Sequence, residues 1–262
     1  MRNPFGWLFQ GEGKETVVKT RGKTLSVSET DSSKTLSING TIQSVLMKNS
    51  EYSRDYWDLF PPLCYVFERP RVFMIGLGGG TIAHQIERRF GGGASMDIAE
   101  VDGEVVELSK KFFGLGQRHR VVVGDGARLL HGEKGRYDMI ILDAYDGDTI
   151  PEQFLSTEFA RDAWETLRQR GILAINYIST MRGNGQLEEY MRTLSRHFDV
   201  YEARIRHITW NSVIVCSKGI GKDEIVKKIG SGLGHGNYDV QILSAYENME
   251  HFGDEMDDAG DL

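Results

Sequence analysis

The sequence predicts an α/β protein: a wound, mainly parallel sheet covered on both faces, preceded by a small N-terminal β domain. Three observations lead there. From Arg71 onward, short apolar runs alternate with helical patterns, the signature of a parallel sheet flanked by helices. Before that point, apolar and polar residues alternate in short stretches between turn-like separators. Near the end, 199–206 and 209–217 read as two strands in succession, which predicts an antiparallel closing pair.

Taken in order, the alternating stretches are 16–20, 24–28 and 35–38. Arg21-Gly22-Lys23 and Asp31-Ser32-Ser33 separate them, giving a β-meander. Asn39-Gly40 favours a two-residue hairpin turn into 41–46. Residues 53–67 read as helical, interrupted at Pro61-Pro62. Strands are then expected at 71–76, 96–101, 120–123, 137–142 and 171–177. Helices are expected at 81–90, 103–113, 126–131, 156–169 and 184–197. This divides the chain into an N-terminal β-rich domain (1–68), a wound α/β domain (69–240) and an acidic C-terminal tail (241–262).

The bulk composition narrows the function classes. The chain has 262 residues, 40% hydrophobic and 26% charged, as ordinary globular domains do. No apolar run approaches the roughly 20 residues of a membrane span, and 1–7 carries no signal-peptide core. Cys64 and Cys216 sit in apolar sequence and are expected as buried free thiols, which places the protein in the cytoplasm. A formal net charge of -7 argues against a general nucleic-acid binder. Much of that excess lies near the end, at Asp254, Glu255, Asp257 and Asp258, a solvated tail.

Ligands in open α/β sheets bind beyond the carboxyl ends of the strands, so each strand end was read in turn. The first is Ile75-Gly76-Leu77-Gly78-Gly79-Gly80-Thr81, a glycine turn between strand and helix. Gly76, Gly78, Gly79 and Gly80 allow close approach of a ligand to backbone N–H groups. The second, Met96-Asp97-Ile98-Ala99-Glu100-Val101-Asp102, offers Glu100 to accept ribose hydroxyls beside Val101. Asp102 fits either that role or the N-cap of the next helix. The third, Gly124-Asp125-Gly126-Ala127, places Asp125 to cap a helix or to meet an exocyclic amine. The fourth is Leu142-Asp143-Ala144-Tyr145-Asp146-Gly147-Asp148. Two carboxylates three residues apart, with an aromatic between them, suit a cationic amine: one orients it and the other accepts its proton. Asp148 reads as loop surface. The long segment from Thr149 to Ser156 is placed to fold over a ligand.

A five-strand wound sheet with an antiparallel ending is the Rossmann-like arrangement of S-adenosylmethionine-dependent transferases. The strand ends together resemble the polyamine aminopropyltransferases, the spermidine synthase family, over about 35–217. Ile38-Asn39-Gly40-Thr41-Ile42-Gln43 is similar to the family's turn before a Gln, and the stretch from Ala99 to Phe113 is the nearest match. The resemblance implies that Gln43, the glycine turn, Glu100, Val101, Asp125, Gly126, Ala127 and Asp143 bind the donor nucleoside. It gives Asp143, Tyr145 and Asp146 to catalysis, and Tyr52, Asp146 and Asn176 to the amine substrate. It implies decarboxylated S-adenosylmethionine as co-substrate, no metal, a small-molecule amine as partner and a homodimer, with which Phe5, Trp7 and Phe9 are compatible.

The chain departs from the family pattern in its amine half. Gly79 stands where the family carries an Asp, 46–49 lacks carboxylates, and Asn176 replaces a Gln. Gly79 favours a second reading, a methyltransferase using intact S-adenosylmethionine, because an acid there would repel the methionine carboxylate. The acids around Tyr145 favour aminopropyl transfer. A nucleoside-binding protein without catalysis is the third reading.

Overall fold

The computed structural model describes residues 13–20, 22–115, 119–147, 149–178, 186–205 and 211–252. Phe5, Trp7, Phe9, Asp148 and the acids at 254–258 lie outside them.

The first four strands are β1 (Lys14–Lys19), β2 (Thr24–Glu29), β3 (Ser33–Ile38) and β4 (Thr41–Met47), an antiparallel meander in chain order. Asn39 and Gly40 turn the last hairpin with φ of 51° and 81°. That turn matches the twist of the strands it joins. Opposite Leu36 and Ser37 the register shifts, so Gln43 is the extra residue of a bulge, a device that re-aims a strand.

Residues 53–67 do not form an α-helix. They make two 3-10 turns, Tyr56–Leu59 and Pro61–Val66. Consecutive prolines lack the N–H donors that α-helical bonds would need, so the segment breaks. Asp58 is 1% exposed and holds it in place. Its carboxylate accepts from the Ser53 N–H (2.8 Å), Ser53 Oγ (2.7 Å), the Arg54 N–H (2.8 Å), Gln85 Nε2 (2.5 Å) and Tyr238 Oη (2.9 Å).

The second sheet contains β5 (Arg71–Ile75), β6 (Ser95–Glu100), β7 (Arg120–Val123), β8 (Tyr137–Leu142), β9 (Leu167–Ile178), β10 (Asp199–Ala203), β11 (Asn211–Ser217) and β12 (Glu250–His251). Their order is β12-β10-β11-β9-β8-β5-β6-β7. β5 to β9 run parallel, and β11 is antiparallel to both β9 and β10. The helices are α1 (Thr81–Phe90), α2 (Gly103–Leu108), α3 (Gly126–Leu130), α4 (Thr157–Thr166), α5 (Gln186–Ser195), α6 (Lys222–Gly232) and α7 (Asn237–Glu247).

Alternate residues of each central strand feed different cores. Val72, Met74, Met139 and Ile141 pack toward α1, α6 and α7, while Phe73, Ile75, Ile140 and Leu142 pack toward α4 and α5. Burial on both faces is why these strands read as continuous apolar runs. The meander packs Leu25, Val27 and Leu36 against Val105 and Leu108 of α2. Cys64 and Cys216 are free and buried, and burial pushes the Cys64 thiol up to about 12.

Three boundaries differ from expectation. α4 ends at Thr166, and Leu167 already starts β9. There Leu167 enters the core, while Arg168 and Arg170 leave it to pair with Asp138 and Glu224. The helix expected at 103–113 is α-helical only to Leu108 and widens into a π-helical turn over Ser109–Phe113. The boundary expected between 240 and 241 falls inside α7. Ile242, Ala245 and Tyr246 are core residues, and the Tyr246 hydroxyl donates to the Leu59 carbonyl. Among the described residues no helix is long and apolar enough to cross a membrane.

Candidate active site

β5 and β8 are neighbours although β6 and β7 intervene in the chain, so strand order reverses between them. A crevice opens beyond the carboxyl ends at such a point. Register decides what reaches it. Ile75 pairs with both Ala99 and Leu142, and Leu142 pairs with Ile175. One residue further on, Asn176, Asp143, Gly76 and Glu100 therefore stand side by side. They line a cavity of about 630 Å³ with Gln43, Gly78, Val101, Asp125, Gly126, Tyr145 and Asp146.

Gly76 has φ 89°, and a Cβ there would lie 2.1 Å from the Asp143 carbonyl oxygen. No side chain fits between these strand ends. Gly78 also lines the cavity, with the Gln43 carbonyl 3.0 Å from where its Cβ would stand. Gly79 and Gly80 do not line it. Gly79 is buried and donates its N–H to Ser44 Oγ at 2.6 Å, and its Cβ would meet Ser44 at 2.9 Å and Phe113 at 3.0 Å. Gly80 is the N-cap of α1 at φ 83°, against Leu115. Gly79 serves the packing of β4 and Phe113 on the turn, and Gly80 that of Leu115.

Glu100 binds the turn from the next strand. One oxygen accepts the Leu77 N–H at 2.8 Å and the other the Asp102 N–H at 3.0 Å. Burial pushes its carboxyl up, and backbone N–H groups of Leu77, Gly78 and Val101 draw it back. Asp102 is the N-cap of α2, accepting from the Glu104 N–H at 2.9 Å, and pairs with Lys23. Asp125 caps α3 through the Ala127 N–H at 2.9 Å and still faces the cavity. Gly126 is required beside it, because a Cβ would come within 2.5 Å of Ile75. Ala127 does not line the cavity; its methyl packs into the core under the sheet.

Asp143 occupies the floor. Its Oδ1 accepts from Asn176 Nδ2 at 2.8 Å and from Tyr56 Oη at 3.2 Å. Burial pushes its carboxyl up to about 6. Bonds from Asn176, Tyr56 and the Trp57 indole act downward, and the charge of Asp55 acts upward. Tyr145 lines the wall and donates to the Asn176 carbonyl at 2.7 Å. Asp146 is exposed at the rim, bridged to Thr149.

Tyr52 does not reach the cavity. Its ring packs edge-on against Tyr238 at 4.9 Å and under Arg89, and its hydroxyl donates to Asp239. The aromatic that meets the acid is Tyr56, four residues later. Asp55, Trp57 and Asn211 also line the cavity and escaped the sequence reading. The adjacent Asp55-Tyr56-Trp57, acid and aromatics just ahead of a proline break, was the signal available for the first two. Asn211 had none, because it arrives from an antiparallel partner strand.

The strand order and its reversed β11 give a Rossmann-like fold, one similar to that of a human methyltransferase-like protein solved with SAH (TM-score 0.56, 20% identity, 76% of this chain and 91% of that one). Within that class it belongs to the spermine/spermidine synthase family, whose domain model matches residues 60–218. It is 31% identical over 150 residues to a polyamine aminopropyltransferase of Vibrio vulnificus, covering 55% of this chain and 49% of the relative. The chain thus spans about half the length of that relative. A polyamine aminopropyltransferase of Pyrococcus abyssi is 28% identical over 246 residues, covering 85% and 86%. A spermidine synthase solved with the transition-state analogue AdoDATO superposes with TM-score 0.66 at 21% identity, covering 87% of this chain and 83% of that one.

Proposed function

We propose that the protein moves an aminopropyl group from decarboxylated S-adenosylmethionine to a diamine or polyamine. The observation that carries this reading is Asp143, a carboxylate in a buried wall of donors at the switch point, with its proton affinity raised into the working range. Gln43, Gly76, Gly78, Glu100 and Asp125 would hold the nucleoside, and the volume of the cavity suits a ligand of that size. The amine lone pair forms the new C–N bond as the C–S bond pair passes to sulfur, so the leaving thioether needs no acid. Asp143 accepts the ammonium proton, with Tyr145 and Asp146 at the amine end. An alkyl ammonium has a pKa of about 10, so alignment of a neutral amine supplies much of the rate. The same reading carries a homodimer as the working form.

Incubation with either donor plus putrescine tests it. Methylthioadenosine as product supports aminopropyl transfer; turnover of the intact donor alone, giving S-adenosylhomocysteine, sinks it. Gly79 favours that second reading, methyl transfer, since no acid stands in the turn to hold a donor amine. Restoring one is expected to be costly: Gly79→Asp should destabilise the fold by about 1–3 kcal/mol in thermal melts, because its Cβ overlaps Ser44 and Phe113.

Under either reading the nucleoside half is the same. Glu100→Gln is expected to weaken methylthioadenosine binding by roughly 10–100-fold, the worth of a charged hydrogen bond. Calorimetric titration measures it, and an unchanged affinity would remove Glu100 from the ribose role.

A further inference from the structure

We infer that Asn211 is a positioning residue for Asp143, acting through the side-chain amide of Asn176. This rests on the reading of Asp143 as proton acceptor.

Asn176 spends both ends of its amide on neighbours. Its Nδ2 donates to Asp143 Oδ1 at 2.8 Å, and its Oδ1 accepts from Asn211 Nδ2 at 2.8 Å. Only 2% of the residue is exposed, so water has little access to either end. Turned over, the amide would set its oxygen against the carboxylate, two acceptors face to face. The Asn211 N–H prevents this by occupying Oδ1, which leaves Nδ2 for Asp143. Strand register makes the contact: Val213 pairs with Asn176 and Asn211 with Ile178, so Asn211 lies diagonal to Asn176 on the antiparallel neighbour. Tyr145 holds the same strand end through the Asn176 carbonyl.

Among the described residues, the groups facing Asp143 are Tyr56, Trp57 and Asp55 of the 3-10 turn, Tyr145 of its own loop, and Asn176 of β9. Asn176 is the one whose donor could reverse by rotation of a terminal amide. With Asn211 in place, the ionised form of Asp143 is the supported one.

The test follows the Asp143 carboxyl carbon by NMR in ¹³C-aspartate-labelled protein, the signal being assigned by its loss in Asp143→Asn. Wild type is compared with Asn211→Leu, close in size, and with Asn211→Ala; either folded variant suffices. The midpoint is expected to rise by about one pH unit, and the acid limb of the kcat/KM profile to move with it, as loss of a donor to the charged form requires. Midpoints equal to wild type in a folded variant overturn the inference. A midpoint that moves while the rate profile stays fixed upholds the positioning role and removes Asp143 as the proton acceptor.

Discussion

Asp143→Asn is expected to slow transfer by roughly 10²–10⁴-fold, the usual contribution of a positioned general base, while stabilising the folded protein above pH 6. The two effects have one origin. Burial holds the carboxyl proton to about 6, against an ordinary 3.8. Below 3.8 the group is protonated in folded and unfolded chains alike, and it costs nothing. Between 3.8 and about 6 the unfolded chain releases the proton and the folded one keeps it, so stability falls as pH rises. Above that range the cost is complete. At about 1.4 kcal/mol per tenfold change in proton affinity, it approaches 3 kcal/mol, less what solvent in the cavity screens. Asn carries no charge and escapes it. Urea melts at pH 8 should favour the variant by about 1–3 kcal/mol, and melts at pH 3.5 should not. Wild-type activity should rise through pH 6 as Asp143 ionises. Equal stability of the two proteins at pH 8, or undiminished turnover in the variant, would count against the assignment.

Asp58→Ala is expected to be the most damaging single change to the fold, at about 3–5 kcal/mol. It leaves the donors of Ser53, Arg54, Gln85 and Tyr238 facing a buried void. Each unsatisfied buried donor costs about 1–3 kcal/mol before relaxation. The loss also reaches the site, because the same 3-10 turn carries Tyr56 and Trp57. Chemical denaturation measures the first effect and nucleoside titration of the residual folded fraction the second. A variant that unfolds at the wild-type denaturant concentration would show that the turn is held by apolar packing alone.

The parts of the site legible in the sequence are those that the parallel sheet itself aligns. Gly76, Glu100, Asp125 and Asp143 each follow an apolar strand, and hydrogen-bond register brings consecutive strand ends to one level without further information. Side chains delivered by irregular backbone were harder. Tyr56 sits on a 3-10 turn with no helical period, so no pattern in the sequence singles it out over Tyr52, the aromatic that the family resemblance implies. Gln43 was found through its turn, but the bulge that re-aims it is invisible in sequence. Gly79 and Gly80 are expected at a ligand because a glycine needed for packing and one needed for a ligand look alike in sequence, and Ala127 because it directly follows Asp125 and Gly126, which do line the cavity. Asn211 depends on pairing with a strand more than thirty residues away. The β9 start was missed because Leu167 and its flanking arginines fit either a helix end or a strand edge.

The contact between Gly76 and the Asp143 carbonyl closes the bottom of the cavity. Two strand ends packed to backbone contact, and bonded from the Asp143 N–H to the Ile75 carbonyl at 2.9 Å, leave no room for a ligand to pass between them. The way in lies between Thr41, Ile42 and Gln43 on one side and Asp146, Gly147, Pro151 and Gln153 on the other. Ligand selection and ligand access thus belong to separate pieces of the chain. The floor fixes which atoms face a ligand, and the walls fix its way in.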